Sequence, residues 1–169
     1  MAMTLVSTVQ VPSGGAASIE FTNIPQTGKD LLCLMSLRGS NAANDVFVYW
    51  RINSDSTSKY RNLELDGTGS AVSSFVNASD ITEGWTGRTS AGNNTANTFG
   101  NAMSYFSNYT STTNKSVSSD SVSENNATGA EQYLVASRYT SSSAITSLSF
   151  LPASGNFVQH SSASLYIIS

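Results

Sequence analysis

The chain has 169 residues, a formal net charge of −3 and only 11% charged residues, while Ser, Thr and Asn make up more than a third of it. A length near about 150 with 39% apolar residues, seven Phe, seven Tyr and two Trp suits one packed core, so residues 1–169 read as a single folded domain. Eight scattered Lys and Arg exclude a nucleic-acid-binding surface, the lone Cys33 excludes an internal disulfide or a Cys-based metal site, and no apolar run reaches the roughly 18 residues of a membrane span.

In chain order the apolar residues alternate. Met3, Leu5, Val9 and Val11 share one parity and predict a first strand, ended by Pro12-Ser13-Gly14-Gly15. Ala17, Ile19 and Phe21 repeat the pattern before a turn over residues 23–28. Residues 30–38 carry apolar side chains on both parities, which predicts a central strand covered on both faces. Val46, Val48, Trp50 and Ile52 define one face of the next strand, with Phe47, Tyr49 and Arg51 opposite. After a polar loop, Leu63 and Leu65 mark a shorter strand, and Asp66-Gly67 is a tight-turn dipeptide leading to a strand over 71–76. Periodicity then dissolves, and residues 77–97 read as a long polar loop carrying Ile81 and Trp85.

Phe99, Met103 and Tyr105 restart the alternation, followed by a turn over 108–115, a weak strand near Val117 and a loop over 120–129. Tyr133, Val135, Ser137 and Tyr139 oppose Leu134, Ala136 and Arg138 in a further strand. Leu148 and Phe150, then Ala163, Leu165 and Ile167, flank the turn Pro152-Ala153-Ser154-Gly155-Asn156, so the chain is expected to end in a hairpin. Roughly nine to eleven short strands without a helical period predict an all-β, two-sheet antiparallel β-sandwich with jelly-roll topology. Its inner faces are expected to take Leu5, Ile19, Phe21, Leu31, Cys33, Val48, Trp50, Leu148, Phe150 and Leu165.

The residues offer little chemistry. His160 is the single histidine, no GxSxG elbow accompanies it, and Asp45, Asp55, Asp66, Asp80, Glu83, Asp120 and Glu124 are scattered without a DxDxDG spacing. No catalytic, cofactor-binding or metal-ligating residue is therefore assigned, and the chain is expected not to be an enzyme. Trp85, between Gly84 and Thr86-Gly87, is the candidate contact for a partner or a glycan, because an aromatic beside amide side chains is how sugar rings are held. Asn93 and Asn94 are the amides of that candidate site; the plainer reading makes Trp85 a plug folded onto the sandwich. Five Asn-x-Ser/Thr triplets, at Asn77, Asn93, Asn108, Asn114 and Asn126, are read as chance in so Asn- and Ser-rich a chain. The first ten residues lack the charged and apolar regions of a signal peptide, which predicts a chain made and kept in a cytoplasm.

Residues 21–31 (FTNIPQTGKDL), Ser36-Leu37-Arg38, Ala96-Asn97-Thr98-Phe99-Gly100, Asn108-Tyr109, Asn114-Lys115-Ser116, residues 120–127 (DSVSENNA) and residues 145–169 with SGNFVQ and SSASLY carry a resemblance. In that order and spacing they resemble a family of tailed-phage virion structural proteins, from phages of aquatic bacteria including cyanobacteria. The likeness covers nearly the whole chain except residues 40–60 and 77–93. It implies either a capsid decoration (cement) protein or the terminal domain of a tail fibre. The first is favoured, because the chain leaves no room for a fibre shaft. The resemblance thus implies a homotrimer assembled in the host cytoplasm and docked on the major capsid protein at the head surface, with residues 1–11 as a docking arm. Its alternative is a tail-tip module that binds a receptor or host surface glycan. Neither reading involves nucleic acid or membrane insertion.

Overall fold

Val46, Val48, Trp50 and Ile52 are buried, and the residues between them are half-exposed, which is what a strand with one face on a core requires. The computed structural model describes residues 2–124 and 129–169, and among these the same rule builds twelve strands and no helix. In order they are β1 (Met3–Gln10), β2 (Ile19–Phe21), β3 (Asp30–Leu37), β4 (Asp45–Ile52), β5 (Tyr60–Gly67), β6 (Val72–Val76), β7 (Gly84–Ser90), β8 (Gly100–Phe106), β9 (Lys115–Glu124), β10 (Ala130–Tyr139), β11 (Leu148–Pro152) and β12 (Ser162–Ile168). They pair antiparallel into an eight-stranded sheet, β1-β12-β3-β8-β9-β10-β5-β6, and a four-stranded sheet, β2-β11-β4-β7. The chain is an all-β sandwich.

Between the sheets lies one apolar core. Ile19, Phe21, Leu31, Cys33, Val48, Trp50, Leu148, Phe150 and Leu165 are all buried in it, as their parity predicts. At its centre the Trp50 indole meets Tyr60 and Phe106 edge-on, with ring centroids 5.5 and 5.2 Å away. Its Nε1–H donates to the carbonyl of Trp85 at 3.0 Å, so the one polar atom of the ring is satisfied.

Four expectations are corrected. Leu5 is 52% exposed. A bulge between Leu5 and Ser7 inserts Val6, which leaves Val9 opposite inward-facing Ala163 but puts Leu5 opposite Tyr166 on the outer face. The C-terminal pair is not a hairpin: β11 pairs with β2 and β4, whereas β12 pairs with β1 and β3 in the other sheet. Both strands point apolar residues at the same core from opposite sides, a pattern that sequence alternation cannot tell from a hairpin. On β3, Leu31, Cys33, Met35 and Leu37 face the core, while Leu34 faces outward and stays exposed. Residues 77–97 are not one loop, since they contain β7.

The boundaries and facing of β8 and β9 also shift. β9 runs to Glu124, so the expected loop over 120–129 begins as strand, and residues 125–128 of it, with the Asn126 triplet, lie outside the described residues. Met103 and Tyr105 point outward, and Ala102, Ser104 and Phe106 point in. The inward positions of β9 are Val117, Ser119, Ser121 and Ser123, and the buried Ser104 and Ser119 hydroxyls bond each other at 2.8 Å. Polarity there does not mark solvent: Ser104 and Ser119 pair with each other, Ser121 Oγ accepts the Arg88 backbone N–H at 3.0 Å, and the small side chains let β7 pack closely. Gly87 shows how closely: a Cβ at this position would lie 2.2 Å from Ser121 Oγ, and its φ of +118° suits only glycine.

Candidate functional site

The eight-stranded sheet is wider than its partner, and its far end, β5 and β6, wraps around the free edge of β7. Asn62 on β5 makes the junction: its Oδ1 accepts the Trp85 backbone N–H at 3.1 Å and its Nδ2 donates to the Glu83 carbonyl at 3.1 Å. Beyond Asn62, the inner face of the hairpin carries Glu64 and Asp66 on β5 opposite Phe75 and Ser73 on β6. These look across at Phe47 and Tyr49 of β4 and at Trp85 and Arg88 of β7. Together the eight residues line a cleft of about 370 Å³.

Aromatic rings form its walls. Phe75 stacks on Trp85 with centroids 5.7 Å apart and planes 17° apart, Phe47 tilts against Trp85 at 5.7 Å, and Phe47 stacks on Tyr49 at 6.0 Å. Trp85 itself is only 7% exposed, whereas Phe75 is 59% exposed. The Arg88 guanidinium lies 3.9 Å from the Phe47 centroid and is fixed by Asp45 at 2.7 Å.

The charge balance of the cleft is negative. Arg88 is salt-bridged to Asp45, and among the described residues neither Glu64 nor Asp66 makes a salt bridge. Asp66 accepts the Ser73 hydroxyl. Glu64 is 4% exposed and its Oε2 is buried without a hydrogen-bond partner. Burial raises its pKa above the ordinary carboxyl value, Arg88 opposes that, and Asp66 and Asp45 reinforce it.

The three candidate residues are not brought together. Trp85 sits at the start of β7 on the cleft, as a strand residue and not on a loop. Asn93 and Asn94 follow the opposite end of that strand, and the five steps from Trp85 to Ser90 alone span roughly 16 Å. Asn93 is exposed; Asn94 is buried, with its Nδ2 on the Glu124 carbonyl at 2.9 Å. Their loop is held by buried Arg38, which donates to the carbonyls of Thr95, Thr98 and Asn94 at 2.7, 2.8 and 3.0 Å. Stacked on Phe75 and tilted against Phe47, Trp85 is a wall of the cleft.

Sequence reasoning missed Phe47, Tyr49, Glu64, Phe75 and Arg88. A Glu between two leucines reads as the solvent side of a strand, and here the order is reversed: Asn62 and Glu64 face in, Leu63 and Leu65 face out. His160 lies exposed in the turn before β12 with φ +74°, and Cys33 is fully buried with its thiol pKa pushed up by burial. Among the described residues, no set of three or more His, Cys, Asp or Glu converges as metal ligands, and no helix is long and apolar enough to cross a membrane.

The outer face of the eight-stranded sheet is the second unusual surface. Its cross-strand register places Leu5, Tyr166, Leu32, Tyr105, Ser118, Ala136, Leu63 and Val76 in one row across all eight strands. The adjacent row holds Leu34, Met103, Asp120, Leu134 and Leu65. Leu63, Leu65 and Leu134 keep 44%, 45% and 48% of their surface exposed. Among the described residues, nothing covers these leucines. Comparisons with models of known families, with curated proteins and with solved structures find no match.

Proposed function

We propose that the chain is a structural protein of a tailed-phage virion, a decoration protein that docks on the major capsid protein as a homotrimer and performs no reaction. The observation that carries this reading is the uncovered apolar outer face of the eight-stranded sheet. Soluble monomers rarely leave many large apolar side chains of one surface bare; here Leu34, Leu63, Leu65 and Leu134 are exposed around Ser118 and Asp120, and Met3 and Leu5 on β1 add to them at the arm expected to dock. Contacts of this type across the seams between shell subunits stabilise the assembled head by mass action, and a closed trimer suits the local threefold points of a shell.

The strand order supports the finer topological reading. Setting aside β5, β6, β9 and β10, the remaining strands run β1-β12-β3-β8 over β2-β11-β4-β7. This order is compatible with a jelly roll, since every successive strand except β7 after β4 crosses to the other sheet. The four strands set aside then act as a widening of one sheet, which creates both the broad outer face and the cleft.

A second reading, a receptor-binding module at a tail tip, is favoured by the aromatic cleft. Sedimentation of the purified chain, followed by incubation with isolated heads, tests the first reading: a trimer that pelletes with heads is expected, and a monomer at high concentration that stays in the supernatant overturns it. Antibody labelling of virions separates the two. Labelling over the whole head supports decoration, and labelling at one vertex supports the tail.

A further inference from the structure

We propose that the cleft between β4, β7 and the β5–β6 hairpin is a binding site for an organic ammonium ion with a methylated head, of the choline type. Four aromatic rings and two carboxylates that make no salt bridge converge on a volume of about 370 Å³, with the one cation of the lining, Arg88, bound to Asp45. Rings present the negative face of their quadrupole to a cation, and the attraction grows where water is excluded. A methylated ammonium suits such walls better than a primary one. It gives up less hydration on entry and offers methyl groups to the rings, while its charge still reaches a carboxylate.

The decisive group is Glu64. An unpaired carboxyl oxygen buried behind aromatic walls is costly to leave unmatched, yet Glu64 Oε2 has no partner. Leu would fill that position without the cost and Gln would remove the charge, so the carboxylate is explained by a cation that completes the charge balance. The wall already holds one such ion: the Arg88 guanidinium stands 3.9 Å from the Phe47 centroid. Phe75, largely exposed, forms the mouth of the cleft, where an entering ligand would pass. Ammonium binding is independent of where on a virion the chain sits.

The test is a calorimetric titration of the full chain with choline chloride, with 3,3-dimethyl-1-butanol as the neutral isostere and methyl glucoside as the sugar control, at matched ionic strength. Saturable binding of choline and none of the two neutral compounds is expected. Glu64→Gln should weaken binding about tenfold or more and Phe75→Ala about threefold or more. Phe75→Ala removes an exposed ring, so the fold is kept and circular dichroism verifies it. Equal binding of choline and its isostere, unchanged affinity in Glu64→Gln, no saturable response to choline, or saturation by methyl glucoside would each overturn the proposal.

Discussion

Asn62 and Trp85 are joined edge to edge: Asn62 Oδ1 accepts the Trp85 backbone N–H at 3.1 Å, and the same oxygen accepts the Ser137 hydroxyl at 2.6 Å. β7 ends the four-stranded sheet, so its free edge would otherwise present unpaired backbone groups. Asn62 closes the Trp85 end of that edge and anchors the hairpin that carries Glu64 and Phe75, while Ser121 Oγ takes the Arg88 N–H at 3.0 Å and the Gly39 N–H donates to the Ser90 carbonyl at 2.8 Å.

Asn62→Leu is therefore expected to destabilise the fold by about 2–4 kcal/mol, because it strands several buried polar groups at once. Urea denaturation with an unchanged m value measures it. Amide exchange at Trp85 should accelerate in parallel; an unchanged midpoint would show that the edge is held by other contacts.

Arg38 is a buried cation with backbone carbonyls in place of a carboxylate partner. Arg38→Met should release the loop over 92–98 and cost about 2–3 kcal/mol, in line with several charged hydrogen bonds lost against some apolar gain. Hydrogen exchange localises the effect: faster exchange confined to that loop is expected, and uniform loss of protection would argue against it.

Leu65 and Leu134 lie directly opposite each other on the outer face. Replacing both by Asp should leave the melting temperature within a few degrees, as exposed positions allow, and should convert the proposed trimer to monomer in sedimentation velocity. Retained assembly would move the interface elsewhere.

Gly84 faces the core, and a Cβ there would lie 2.1 Å from the Trp50 indole. Gly84→Ala should cost about 2–3 kcal/mol by overpacking, with a change in the near-ultraviolet dichroism of Trp50. Val or Leu should prevent folding.

Stability should respond to pH through two carboxyls of opposite sign. Partial burial alone would raise the pKa of Asp55, but hydrogen bonds from Lys59, Thr57 and Tyr139 outweigh it and hold the carboxyl well below its ordinary 3.8. That contribution is complete above pH 3.8 and is lost as pH falls through and below it, so Asp55→Asn should flatten the acid limb. Glu64 is raised above its ordinary 4.5, so its protonated form is favoured by folding and stability falls as pH rises through the raised value. Glu64→Gln should be more stable than the parent at pH 7, with the difference vanishing below pH 4.5. Urea midpoints across pH 3 to 8, in the absence of ligand, read both effects.

Much of the sandwich was legible because parity marks burial wherever apolar and polar residues alternate. Ile19, Phe21, Val48, Trp50, Phe150 and Leu165 all fell where their spacing put them. Parity failed where polar side chains face inward, as on β8 and β9, or where a bulge shifts the register, as at Val6. The candidate site failed for the first reason. Trp85 was singled out, but Glu64 and Phe75 were hidden in a strand whose leucines face water, and Asn93 and Asn94 proved to belong to the far end of β7.

Composition and spacing alone determined an all-β chain with one core, no disulfide and few charges, since these follow from side-chain period and residue type, which are local properties. Tertiary structure alone decided which sheet each strand joins, which face of the wide sheet is left bare, and that Phe47, Glu64, Phe75 and Trp85 meet. Those outcomes depend on pairings between residues far apart in the chain, and the strand pattern reads the same on either side until a partner sheet covers one of them.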